Sequence, residues 1–269
     1  MKKIIGLFGL IAFFIFQGCD TVHESTINAD GSGVFVSTMD MGKLFGMVKM
    51  FAQEKDEMKD LEGKKKDTLL NLKSMKDSLK NLTDAEKKLI DKGTLRVTMD
   101  MQEEKFLLAY TFPFTQPSDI AVINSILKKT KQTMLTDQLD KIIGSAKNET
   151  DTAKMDYQDN SLLSGWDKDD NNTIDDYYIF TFEKGKIKKK LNKEMYAKVN
   201  DDKSLSAMQQ MGQMGVSPSV KTIFNLPRPA KKAEGKGVKL SADRKKVTIE
   251  GSLDDFFEDG SHFEYEIEY

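Results

Sequence analysis

Alternation of apolar and polar positions marks both ends of this chain, and three- to four-residue spacing fills much of the middle. Val22 to Asn28 alternates, Asn28-Ala29-Asp30-Gly31-Ser32-Gly33 supplies turn chemistry, and Val34 to Met41 resumes the period of two. That pattern predicts a β-hairpin, with Gly31 and Gly33 free to take the positive φ that a tight turn demands. From about Lys43 to Leu61 the period changes: Leu44, Met47, Val48, Phe51 and Met58 fall near one helical face, and Gly63 with Lys64-Lys65-Lys66 breaks the run. Leu69, Leu72, Met75, Leu79 and Leu82 follow at three- and four-residue steps. They predict a second helix whose narrow seam suits a helical hairpin or short coiled coil. Thr83-Asp84-Ala85-Glu86 has the form of a capping box opening a third, short helix that ends near Gly93.

A second hairpin is predicted from Leu95 to Met101 and Phe106 to Phe114, turning through Gln102 to Lys105. Thr-Met-Asp-Met occurs at Thr38 to Met41 and again at Thr98 to Met101, either on neighbouring strands or by coincidence. Pro117-Ser118 introduces a long helix with Ile120, Ile123, Ile126, Leu127, Met134, Leu135, Leu139 and Ile142 among its apolar positions. Asn148 to Asn160 is polar loop. Tyr178 to Phe182 and Lys186 to Leu191 form a third hairpin around Lys184-Gly185, and the chain ends in β segments at Val220 to Leu226, Gly237 to Leu240, Lys246 to Ser252 and His262 to Tyr269. Strands and helices come in runs, so the expected class is α+β: an antiparallel sheet built from hairpins, a few packed helices, and a helical-hairpin insertion at about 43–93 in a single domain, 19–269.

The first 19 residues carry the clearest signal. Lys2 and Lys3 precede an apolar run from Ile4 to Phe16, and Phe16-Gln17-Gly18-Cys19 stands where a lipoprotein signal peptidase would cut. A run of thirteen residues is too short for a bilayer-spanning helix, which takes about 20. Residues 1–18 are therefore expected to be a cleaved signal, and Cys19, the only cysteine, the acylated anchor of an extracytoplasmic envelope protein. Phe16 and Gln17 depart from the Leu and small residue preferred before the cysteine; an ordinary secretory signal followed by a free thiol is the plainer alternative. Whether the anchor lies in the inner or outer membrane stays open. Removing Lys2 and Lys3 takes the formal charge from −2 to −4, with both signs interspersed, so no nucleic-acid partner is expected. No cysteine is left for a disulfide.

Candidate chemistry is sparse. Asp167, Asp169, Asn171, Thr173 and Asp175 occupy positions 1, 3, 5, 7 and 9 of an EF-hand-like loop, the alternation of oxygen donors that calcium needs. Asn172 replaces the usual glycine and Tyr178 the bidentate glutamate, so a solvated acidic loop is the competing reading. The chain has two histidines, His23 and His262, and no nucleophile elbow, zinc helix or phosphate loop; Asp254, Asp255, Glu258 and Asp259 around Phe256-Phe257 are expected in a surface turn. Enzyme activity is not expected. Met208, Met211 and Met214, at three-residue spacing among glutamines, are candidates for an adaptable apolar rim over a ligand groove. The lysines of Lys186 to Lys193 either solvate a hairpin or face anionic headgroups.

Two stretches carry a family resemblance: Val22 to Gly33, and Thr222-Ile223-Phe224-Asn225-Leu226-Pro227 continuing through Val238-Lys239-Leu240-Ser241 to Val247-Thr248-Ile249-Glu250-Gly251. This order of opening hairpin and proline-ended strand resembles LppM-type domains of bacterial lipoproteins. The resemblance covers about a quarter of the chain and transfers no site residue. It implies an α+β fold outside the cytoplasm that binds lipid or glycolipid. The expectation is thus a membrane-tethered, non-enzymatic binding domain for a lipid or other amphiphile. The alternative is an assembly lipoprotein that docks an envelope protein through the hairpin, on Leu72, Met75, Leu79 and Leu82.

Overall fold

The computed structural model describes residues 20–42, 65–79, 81–100, 102–130, 172–183, 185–202, 205, 206, 209 and 218–269. Eight of its strands make one sheet: β1 (Asp20–Ile27), β2 (Gly33–Asp40), β3 (Lys65–Asn71), β4 (Thr94–Asp100), β5 (Lys105–Phe114), β8 (Ser219–Asn225), β10 (Val238–Leu240) and β11 (Lys246–Ser252). Their order is β10-β11-β8-β1-β2-β5-β4-β3. A second sheet, ordered β6-β7-β12-β9, is made of β6 (Tyr178–Glu183), β7 (Lys186–Leu191), β9 (Lys232–Glu234) and β12 (Tyr265–Glu268). All pairings are antiparallel except β1 with β8. Helices are α1 (Asp84–Ile90), α2 (residues 119–130), α3 (Lys193–Tyr196) and α4 (Leu253–Glu258). The fold is α+β, and all three sequence-predicted hairpins are present.

The opening hairpin turns where its chemistry says it should. The Asn28 N–H donates to the Ser32 carbonyl at 2.8 Å, the Asp30 carboxylate accepts from the Ser32 N–H, and Gly31 sits at φ 93°. Gly33 is required for a different reason. A Cβ there would meet the Thr26 carbonyl oxygen at 2.0 Å and the Phe114 ring at 2.4 Å, so only glycine fits.

Alternation then sorts the large sheet's faces. Ser25, Phe35, Phe112, Phe224 and Val247 lie along one inward row, set by the pairings Ser25↔Phe35, Phe35↔Phe112, Ser25↔Phe224 and Val247↔Phe224. Phe35, Phe112, Phe224 and Val247 of this row join Ile120, Ile123, Ile126 and Leu127 of α2 and Ile187, Tyr265 and Ile267 of the small sheet in the main core. A second core gathers Tyr177, Tyr178, Val199, Leu205, Leu253, Phe256 and Phe263.

The helical reading of Leu69 to Leu82 is corrected. Residues 65–71 are β3, antiparallel to β4, and only Leu72–Ser78 coil, as a 3-10 helix capped by Asn71. The leucine spacing fits both structures: Leu72 and Leu79 are buried in the domain's own core, while Leu69 points out at 69% exposure. A seam intended to dock a partner is therefore enclosed. Asp254 to Glu258 is also corrected, from surface turn to α4. Ser252 accepts from the Asp255 N–H, Asp255 accepts from the Ser252 N–H at 2.7 Å, and Phe256 is wholly buried. The capping box at Thr83 and Glu86 stands as predicted. The two Thr-Met-Asp-Met copies share a sheet but are separated by β5, to which both strands pair. The predicted helix at 43–61, the positions 134–142 and the loop 148–160 lie outside the described residues.

Candidate functional site

The sequence of β7, Lys186-Ile187-Lys188-Lys189-Lys190-Leu191, looks uniformly solvated until strand parity is applied. Lys186, Lys188 and Lys190 face out, where Glu266, Glu268 and Glu264 of the neighbouring strand segment take them at 2.8 to 3.8 Å. Hydrogen bonds that the Lys186 ammonium donates to Glu266 and Glu268 hold it above its ordinary value, at about 12. Lys189 shares the parity of Ile187 and Leu191, and its side chain is 6% exposed.

A buried ammonium needs compensation. Asp175 Oδ1 accepts from Lys189 Nζ at 2.7 Å. The rings of Tyr178, Phe180 and Phe263 surround the same nitrogen, with centroids at 4.2, 5.2 and 5.6 Å. Those distances are within cation–π range. Asp175 is placed by a 3-10 turn at Ile174–Tyr177, which the Thr173 N–H and hydroxyl close by donating to Asp176 at 2.6 and 3.0 Å. Lys128 of α2 adds a 2.8 Å ion pair to Asp176.

This pair borders a cleft between the sheets. His23, Ser25 and Thr222 enter from the large sheet, Asn124 from α2, and Lys189 and Tyr265 from the small one. The His23 ring stacks on Phe35 with centroids 5.7 Å apart. Burial, with the Asp175 charge in support, pushes the Tyr265 hydroxyl above the ordinary tyrosine range. The cavity volume, counted as space for the centre of a water molecule, is about 20 Å³. That is room for about one ordered water. The cleft can hold a solvent molecule among polar groups, and its volume is too small for an acyl chain.

The other sequence candidates fall as follows. Asp167, Asp169 and Asn171 lie outside the described residues, as do Met208, Met211, Met214 and Cys19. Thr173 and Asp175 are described and brace the fold: the Thr173 carbonyl accepts from the Asp176 N–H at 3.0 Å, and Asp175 holds Lys189. Among the described residues no three His, Cys, Asp or Glu side chains converge on one point, and no helix is long and apolar enough to cross a membrane. Sequence reasoning missed Lys189; its parity with Ile187 and Leu191 was the signal that could have found it.

Comparison with protein-family models, with curated proteins and with solved structures finds no match for this chain.

Proposed function

We propose that this chain is a lipid-anchored protein of the bacterial envelope whose folded part is a non-enzymatic binding domain for an amphiphile. The observation that carries the reading is the junction between anchor and fold. Cys19 ends the export signal, and β1 begins at the next residue, Asp20. A domain so joined has the membrane and its amphiphiles as its nearest chemistry. The resemblance to LppM-type domains points the same way. Lys189 and Asp175, the opposed charges in the cleft, neutralise one another, which favours a structural role over a catalytic one.

The described cleft is too small for an acyl chain, so an amphiphile would be held at the surface or by residues outside the described set. The test is mass spectrometry of an organic extract from the chain expressed from Asp20 onward in bacteria. A defined lipid near one per protein supports the reading. A clean extract moves the weight to an assembly role, which envelope cross-linking would then address; because Leu72 and Leu79 are buried, such docking would use a different surface.

A further inference from the structure

We propose that the domain stands on the bilayer on the end of the large sheet where β1 begins, with no spacer between headgroups and fold. The inference rests on the reading of Cys19 as an acylated anchor and adds the direction in which the domain faces. Consecutive Cα atoms are 3.80 Å apart across a trans peptide, so a single peptide unit separates the anchored residue from the fold. Asp20 is not a loose tail. It pairs with Ser219 of β8, its carboxylate accepts from the Ser219 hydroxyl, and Thr21 beside it pairs with Met39 of β2. The anchor thus leaves from the middle of an eight-stranded sheet, flanked by a strand on each side.

Register then decides what else faces the membrane. Asp40, Leu107, Lys105, Asp100 and Lys65 lie at the same end, through the pairings Asp40↔Leu107, Asp100↔Lys105 and Lys65↔Asp100. The β4–β5 turn at Gln102, Glu103 and Glu104 lies there, and so does α4, which starts directly after Ser252, the partner of Ser219. At about 3.3 Å per residue, the eight residues of β1 put the Asn28–Ser32 turn some ~25 Å farther away. Among the described residues, Asp40, Glu103, Glu104, Asp254 and Glu258 are exposed at this end, with Lys65 and Lys105. The net negative charge of these described residues offers an anionic leaflet no attraction, so the hold on the membrane is assigned to the acyl chains of Cys19.

The test uses the full acylated protein in phosphatidylethanolamine–phosphatidylglycerol vesicles that carry a nitroxide-labelled headgroup. A fluorophore is placed on Glu103→Cys or on Ala29→Cys, Cys19 itself being blocked by acylation. The expected result is several-fold stronger quenching at position 103 than at position 29. Equal quenching, or stronger quenching at 29, in protein that floats with the vesicles overturns the orientation and leaves the anchor standing. Protein that does not float overturns both. Cys19→Ser is expected to lose vesicle binding; residual binding would contradict the reading of Cys19 as the anchor. A photo-cross-linker at position 103 that captures a protein instead of phospholipid in cells would also overturn the proposal.

Discussion

Glu86→Gln tests whether one carboxylate both starts α1 and docks α2. Glu86 is 3% exposed in its side chain. It accepts from the Thr83 N–H at 2.7 Å, from the Ser125 hydroxyl at 2.7 Å and from Lys129 Nζ at 2.8 Å to each oxygen. Burial raises its pKa, but the Lys129 ammonium, the Thr83 N–H and the Ser125 hydroxyl outweigh burial and hold it at about 2, against an ordinary 4.5. At 1.36 kcal/mol per unit, that difference corresponds to ~3 kcal/mol of stability near neutral pH. The Lys129 side chain is 30% exposed and can turn to water in the variant, so the expected loss is about 2 kcal/mol. The folded value lies below the unfolded one, so the contribution is complete above about pH 4.5 and is lost as pH falls towards 2. Urea unfolding of wild type and variant should therefore show a gap at pH 7 that narrows by about pH 3. A gap that stays the same size at both pH values, or one below about 0.5 kcal/mol at pH 7, would refute the assignment.

Three further outcomes follow from the packing. Leu72→Ala should cost about 2–5 kcal/mol while Leu69→Ala stays within about 0.5 kcal/mol; equal losses in urea midpoints would restore the helical seam. Phe256→Ala removes a wholly buried ring that meets Tyr177 and Tyr196 edge-on at 5.5 and 5.4 Å, and should cost about 3–5 kcal/mol, read as a fall in Tm. Lys189→Ala removes the ammonium that pairs with Asp175 and opens space beneath three rings, so it should cost about 3 kcal/mol, whereas Lys189→Met, which also removes the charge but refills the volume, should cost about 1 kcal/mol less; chemical unfolding that ranks them the other way would show that filling this space does not stabilise the domain.

Local chemistry was legible from the sequence alone. The Asn28–Gly33 turn, the Thr83/Glu86 box and the three hairpins follow from φ preferences, capping and alternation, which act over a few residues. The stretch from Leu69 to Leu82 shows where that stops. Its apolar positions recur at three and four, yet pairing along the whole of β4 satisfies the backbone of residues 65–71 and leaves Leu69 in solvent. Asp254 to Glu258 shows the converse: an acidic run was hiding Phe256, because a two-ended cap and a waiting aromatic pocket made one buried ring outweigh its charged neighbours. The parallel pairing of β1 with β8 joins residues some 200 positions apart, beyond the reach of any local pattern.

The hairpins, the first helix cap and the α+β class were readable from the chain itself, since each depends on neighbours along it. The packing between distant segments set which lysine of a basic strand is buried, which leucines of a periodic run reach the core, and at which end of the sheet β1 starts. Those outcomes depend on what lies across the sheet and between the layers, where burial, ion pairing and register between distant segments set the energies.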